Sequence, residues 1–231
     1  MGKNKLKKWA DTFTFTNVIQ PSPEKVFNKD HHLKEKWGES FFKNSNPIIL
    51  ELGCGKGEYT VHLARRYPNK NFIGIDIKGA RLWKGAHDAE LENLRNVAFL
   101  RTRIEFIKSF FGRDEVEEIW IPFPDPQLSR QRVKKRLTGS LFLNNYKTFL
   151  KKDGVVHLKT DSQELYRYTG EIINLNSLEL IQSIPDIHAL KEKDEILSII
   201  TYYERIFLKE GKKITYTAFR INNEKELSEL L

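Results

Sequence analysis

The stretch Ile48-Ile49-Leu50-Glu51-Leu52-Gly53-Cys54-Gly55-Lys56-Gly57-Glu58 decides the fold. It starts as a short apolar run set between Pro47 and a glycine, rich in branched side chains, which reads as a buried strand. The glycines then make a strand-to-helix turn where a ligand can approach backbone that no side chain shields. Residues 59–67 continue as a helix stopped by Pro68. Outward from this unit the alternation repeats. Residues 71–76 read as a strand, 78–94 as a helix, 97–100 as a strand and 104–111 as a helix. Strands at 117–121 and 154–159 follow, separated by a basic segment and a helix over 138–151. Residues 198–208 and 214–221 flank Lys209-Glu210-Gly211-Lys212-Lys213 and read as an antiparallel hairpin. The pattern predicts a doubly wound, Rossmann-like α/β fold. Its seven-stranded, mostly parallel sheet carries helices on both faces and is closed by the C-terminal hairpin. Upstream, 1–30 reads as an irregular extension broken by Pro21-Ser22-Pro23, and 31–43 as a helix. Residues 1–46 are thus expected to pack on a core domain covering 47–231, one domain overall.

The spacing in the loop selects its ligand. A dinucleotide fingerprint is G-x-G-x-x-G, but here the third glycine comes one place early, at Gly57, and Glu58 takes its position. A carboxylate there, with Glu51 ahead of Gly53, repels a pyrophosphate and suits a cation. S-adenosylmethionine carries a sulfonium and an ammonium, and the acid-x-Gly-x-Gly-x-Gly pattern favours it. Asp76, at the end of the next strand, is placed to hold both ribose hydroxyls. The competing readings are a tight connection for the glycines and a helix cap for Asp76. Cys54 reads as a small filler, because no histidine partner is identifiable.

Composition bounds the rest. Hydrophobic residues make 39% of 231 residues, enough for a sizeable core. The single cysteine excludes an intrachain disulfide and a multi-cysteine zinc site, so no metal and a reducing compartment are expected. No apolar run is long enough to span a bilayer, and Met1-Gly2-Lys3-Asn4-Lys5-Leu6 lacks the apolar stretch of a signal peptide. A soluble, cytoplasmic protein with no membrane partner is the expectation. The net charge is +8, and residues 126–152 hold eight basic residues and no acid. These are Arg130, Arg132, Lys134, Lys135, Arg136, Lys147, Lys151 and Lys152; a smaller cluster is Lys3, Lys5, Lys7 and Lys8. Such a run is commonly a solvated face, but it also suits a polyanion whose phosphates need neutralising.

After the strand at 117–121 comes Pro122-Phe123-Pro124-Asp125-Pro126. Prolines on both sides of a lone acid stiffen the backbone and fix the carboxylate at the sheet's carboxyl edge. Amino-group methyltransferases place Asn/Asp-Pro-Pro-aromatic here; the order in this chain differs. Ile121-Pro122-Phe123-Pro124-Asp125-Pro126, followed by the basic run ending Lys134-Lys135-Arg136, resembles the bacterial tRNA (guanine-N7-)-methyltransferase family. So do Trp37 ahead of Asn46-Pro47, the loop from Glu51 to Glu58, Thr160-Asp161, and Thr201-Tyr202-Tyr203-Glu204. The resemblance runs over residues 37–221.

It implies S-adenosylmethionine-dependent methylation of N7 in a guanosine of the tRNA variable loop, with tRNA as partner and a monomer or homodimer as the working form. By the same resemblance Glu51, Gly53, Asp76, Arg103 and Asp125 contact the cofactor, and Asp125 is also the catalytic residue. Asp161, Thr201 and Glu204 correspond to guanine or tRNA contacts. The chain departs from the pattern where the family has Asp-Ala and it has Arg103-Ile104; the adenine edge is read by backbone at Arg103 or by Glu105. The family's substrate-contacting lysine falls at Ser129, leaving Arg130 next door to supply that charge. Asp161 with Glu164 also reads as a capping box, and His157 as a satisfied core histidine. The alternatives are methylation of another RNA or a small molecule, and a non-catalytic RNA-binding Rossmann module.

Overall fold

The apolar run at 48–52 is a strand with every residue buried, as a parallel strand covered on both faces requires. The computed structural model describes residues 3–192 and 195–230. Met1, Gly2 and the side chains of Lys3 and Lys5 lie outside the described residues. The chain divides into two compact units, Met1–Val116 and Glu117–Leu231.

The first unit runs α1 (Lys3–Asp11), β1 (Val18–Ile19), α2 (Pro23–Val26), β2 (Ile48–Leu52), α3 (Glu58–Arg66), β3 (Asn71–Asp76), α4 (Gly79–Leu91) and β4 (Val97–Arg101). Its strands lie in the order β1-β4-β3-β2, every pairing parallel. The register sets Glu51 beside Gly74 and Asp76 beside Arg101, so both acids stand toward the carboxyl ends of their strands. The N-terminal segment is more ordered than its polar sequence suggests. Phe99 N–H donates to Asn17 O at 2.7 Å and Asn17 Nδ2 donates to Ala86 O at 2.9 Å, which adds β1 to the sheet edge. The helix expected over 31–43 is replaced by turns and a π-helical segment, Trp37–Phe42. Glu35 adopts φ +63°, and the buried Trp37 indole donates to Phe110 O at 2.8 Å; tertiary anchoring overrides the helical pattern. The helix expected at 104–111 is a 3-10 turn, Ile104–Ser109.

The second unit holds β5 (Val116–Pro122), α5 (Ser140–Tyr146), β6 (Leu150–Thr160), α6 (Gln163–Leu175), β7 (Glu179–Ile184), α7 (Tyr202–Lys209) and β8 (Thr215–Arg220). The order is β5-β6-β8-β7, with β8 antiparallel to both neighbours. Antiparallel C-terminal strands were expected, but the partner was not. Residues 198–208 are not a strand: Thr201 caps α7 by accepting from Glu204 N–H at 3.2 Å, and Tyr203 stacks on Phe207 one helical turn later. The true partner, β7, exposes five of its six residues, so it offered no apolar alternation to read. Among the described residues no helix is long and apolar enough to cross a membrane.

Candidate active site

The first unit carries a loop built for close approach. Gly53, Gly55 and Gly57 hold φ of +72°, +56° and +69°, a region that side-chain-bearing residues rarely adopt. A Cβ at Gly53 would meet nothing within 4 Å, whereas one at Gly57 would lie 2.5 Å from the Phe99 ring. The first glycines therefore leave an open cradle, and the last lets α3 start against the sheet.

Glu51 sits under this loop, 6% exposed. Its Oε2 accepts from Thr60 N–H at 2.8 Å and from the Thr60 hydroxyl. Burial pushes the carboxyl up to about 8 despite these hydrogen bonds, and repulsion from Asp76 and Glu58 adds to the rise. The charged form of this carboxyl thus has no ion-pair partner among the described residues. Asp76 spans the loop and the turn ahead of the next helix, accepting from Gly55 N–H through Oδ2 at 3.0 Å and from Lys78 N–H through Oδ1 at 2.8 Å. Asp76 does not cap α4, whose N-cap is Lys78, and each of its oxygens keeps a further lone pair for a ligand. Cys54 is buried, and desolvation with repulsion from Glu51 and Asp76 drives its thiol well above the usual range, which fits a filler and not a nucleophile. Arg103 is exposed and pairs with Glu105 at 3.0 Å. An open glycine cradle, a buried carboxyl and a bidentate acid fit a cationic nucleoside cofactor.

The second unit holds the remaining candidates. Asp125 is exposed, and Oδ1 accepts from Gln127 N–H at 3.1 Å. The loop around it is strained: Phe123 and Gln127 adopt φ of +51° and +48° without being glycine. Phe123 N–H donates to Lys159 O at 2.7 Å, and its ring lies 5.6 Å from that of Phe207. Next, Arg130–Lys135 forms a 3-10 turn with no buried residue, presenting Arg130, Arg132, Lys134 and Lys135 to solvent. Arg136 breaks the pattern. Its side chain is buried against Pro126, Gln127 and Glu164, so it does not belong with the phosphate-facing residues among which the sequence placed it.

Asp161 is half-buried and accepts from Lys212 Nζ at 2.9 Å. The cap of α6 is Ser162, not Asp161, and Glu164 turns to Arg136 in place of a capping box. Thr201 spends its hydroxyl on the α7 cap. Glu204 has no exposed surface: Lys159 Nζ lies 2.9 Å from Oε2 and His188 Nε2 2.9 Å from Oε1. Both oxygens of this carboxylate thus face basic groups, and it stands in the first turn of a helix and not on the strand expected there. His157 is satisfied as expected, bonded to the Tyr216 hydroxyl at 2.8 Å and stacked on Trp120. Thr60, Lys159, His188, Lys212 and Glu164 were missed as partners. Only Thr60 carried a signal, since a carboxyl at a strand end faces the first turn of the helix that follows.

Cradle, buried acid and ribose-type carboxylate, on parallel strands joined by helices, define a Rossmann-like methyltransferase. A family model described as a putative methyltransferase matches residues 45–217. The chain is 52% identical over 95% of its length to the tRNA (guanine-N(7)-)-methyltransferase of Christiangramia forsetii, of which 98% is covered. It is 47% identical over 99% of its length to the protein of that name from Bacteroides thetaiotaomicron, covering 90% of it. With relatives this near, the chain belongs to the tRNA (guanine-N7-)-methyltransferase family. Its fold is similar to the crystal structure of the 16S rRNA methyltransferase KamB, with a TM-score of 0.62 at 13% identity over 85% of this chain and 97% of that one. The expected α/β methyltransferase fold is borne out, but the described strands number eight and not seven: β1 and β7 are added and the strand expected at 198–208 is lost.

Proposed function

We propose that this protein transfers the methyl group of S-adenosylmethionine to N7 of a guanosine in the variable loop of tRNA. The observation that carries the reading is the near-full-length identity to tRNA (guanine-N(7)-)-methyltransferases. The Glu51 cradle supports the cofactor assignment. The reaction belongs in the cytoplasm, performed by a monomer or homodimer, with residues 47–231 as the methyltransferase domain.

When bound, the cofactor supplies a methyl group activated by positively charged sulfur. Guanine N7 has an in-plane lone pair and carries no proton at neutral pH, so no base is needed to create the nucleophile. What the chain must supply is alignment, holding the reacting atoms about 3–3.5 Å apart. Glu51 pairs with the cofactor's positive charge once it gives up its proton, Asp76 holds the ribose hydroxyls, and the Gly53 and Arg103 backbones line the nucleoside. Asp125 accepts from guanine N1–H and the exocyclic amine and favours the charge that grows on the purine. The turn led by Arg130 grips phosphates, which position tRNA without reading its sequence. Asp161 and Thr201 border the guanine site. Glu204 anchors the helix that presents Thr201. The test is tritiated-methyl transfer to bulk tRNA followed by nucleoside identification: 7-methylguanosine is the expected product, and label in any other nucleoside overturns the reading.

A further inference from the structure

We propose that Arg136 is a positioning residue for methyl transfer, fixing the loop that aims Asp125, a role that rests on the assignment of Asp125 above. The residue ends a basic turn yet is 5% exposed, while Arg130, Arg132, Lys134 and Lys135 before it face solvent. Its guanidinium is used on several sides. Nε–H donates to Pro126 O at 3.1 Å, and Nη2 donates to Gln127 O at 3.3 Å and to Glu164 Oε1 at 2.9 Å. The Tyr168 ring lies beneath it, 4.3 Å from the guanidinium carbon. That ring is in turn held by its hydroxyl, which donates to Glu229 Oε1 at 2.5 Å.

The carbonyls it binds belong to the two residues directly after Asp125. The Asp125 carboxylate takes its orientation from one of them, because Oδ1 accepts from Gln127 N–H at 3.1 Å. Gln127 adopts φ +48°, a conformation that persists only when its surroundings over-determine it. On the far side, Phe123 is fixed by its bond to Lys159 O and its packing on Phe207. Arg136 supplies the matching restraint on the near side. A planar fork that reaches two carbonyls and a carboxylate together has no equivalent in lysine. The same residue closes the exposed turn, so one side chain ties the phosphate-facing surface to the loop carrying the catalytic carboxylate.

The test compares Arg136→Lys, Arg136→Ala, Arg130→Ala and Asp125→Asn in the full chain. With cofactor and tRNA saturating, Arg136→Lys is expected to lower the single-turnover rate by about tenfold or more. Its tRNA affinity and salt dependence should match wild type, whereas Arg130→Ala should flatten the salt slope by about 0.7–0.9. In the Asp125→Asn background, Arg136→Lys should add less than about twofold, because it acts through that carboxylate. Guanidinium ion at millimolar concentration should restore part of the rate to Arg136→Ala; should that variant not fold, the lysine variant and the double mutant carry the test. A salt slope that falls as in Arg130→Ala with an unchanged rate would make Arg136 a phosphate contact and overturn the proposal. Fully multiplied losses in the double mutant would overturn it also. A wild-type rate in Asp125→Asn would overturn the Asp125 assignment and this proposal together; a slow Asp125→Asn beside a wild-type Arg136→Lys would overturn this proposal alone.

Discussion

Glu51 in the first unit and Glu204 in the second are both withdrawn from water, 6% and 0% exposed, but their surroundings differ in kind. Glu204 lies between Lys159 and His188, each 2.9 Å from one of its oxygens, and Lys159 also donates to Leu197 O and Ile199 O. Among the described residues Glu51 bonds to the amide and hydroxyl of Thr60, and burial raises its carboxyl to about 8. A buried acid that the fold answers with its own cations is architecture. One for which the described residues supply no cation suits a cationic ligand. Asp125 stands outside this division, since it is exposed and its bond is to a backbone amide; Asp161, half-buried and paired with Lys212, falls between the two.

The sharpest way to break the comparison is at Glu204. Glu204→Ala strands the Lys159 ammonium, which has no exposed surface, and removing one partner of a buried pair typically costs about 3–5 kcal/mol. Urea unfolding is expected to show a loss of that order, with tRNA affinity per folded molecule unchanged. A loss below about 1 kcal/mol, the scale of a surface pair, accompanied by a large fall in tRNA affinity would return Glu204 to the ligand-contacting class.

Next in size is Asp125→Asn, which keeps the shape but removes the charge and turns one acceptor into a donor. From comparable electrostatic deletions the single-turnover rate should fall by about 10²–10³. S-adenosylmethionine affinity measured in the same variant separates loss of chemistry from loss of cofactor. A rate within about threefold of wild type at saturation would leave Asp125 a structural residue.

The comparison also explains what could be read from the sequence. The first unit's site was legible because local backbone makes it: Glu51, the glycines and Asp76 occupy strand ends whose apolar runs are unambiguous, and the strands at 48–52 and 71–76 fall where expected. The second unit's site was legible only as isolated residues. Arg136 with Glu164 and Lys159 with Glu204 join positions 28 and 45 residues apart, and no periodicity announces such pairs. The exposed β7 and the capped α7 were misread for a related reason, since hydrogen-bond capping and edge pairing decided them and apolar pattern did not.

A smaller effect sharpens the first unit. Asp76→Ala removes a charge-assisted contact to the ribose, a bond worth about 1.5–3 kcal/mol. Cofactor affinity should fall roughly tenfold or more, with tRNA binding unaltered. The loop amide of Gly55 loses its partner as well, so Asp76→Asn, which keeps an acceptor oxygen, should lose less. Equal affinity in Asp76→Ala and wild type would confine Asp76 to bracing the loop and the turn before α4.

The finest test reads the proton on Glu51. Because its folded value is raised to about 8 from 4.5, the free protein carries this carboxyl protonated at neutral pH. The sign follows from linkage: this group favours the folded state most below the lower value, and that contribution is lost as pH rises toward the upper one. A bound cation reverses the preference and draws the group back to carboxylate, so S-adenosylmethionine binding should expel a proton. An α-amino group keeps its charge below about pH 7.7. The clean window is therefore about pH 5.5–7, where affinity should rise by up to about tenfold per pH unit. Calorimetry in buffers of different ionisation enthalpy counts the protons directly, and close to one should leave per cofactor bound. In Glu51→Gln the count should fall to near zero and the pH dependence should flatten. Binding without proton release in the wild type would show Glu51 already charged in the free protein. Release that persists in Glu51→Gln would assign the proton elsewhere. Either result would end the distinction between an acid the fold has satisfied and one it has left for its ligand.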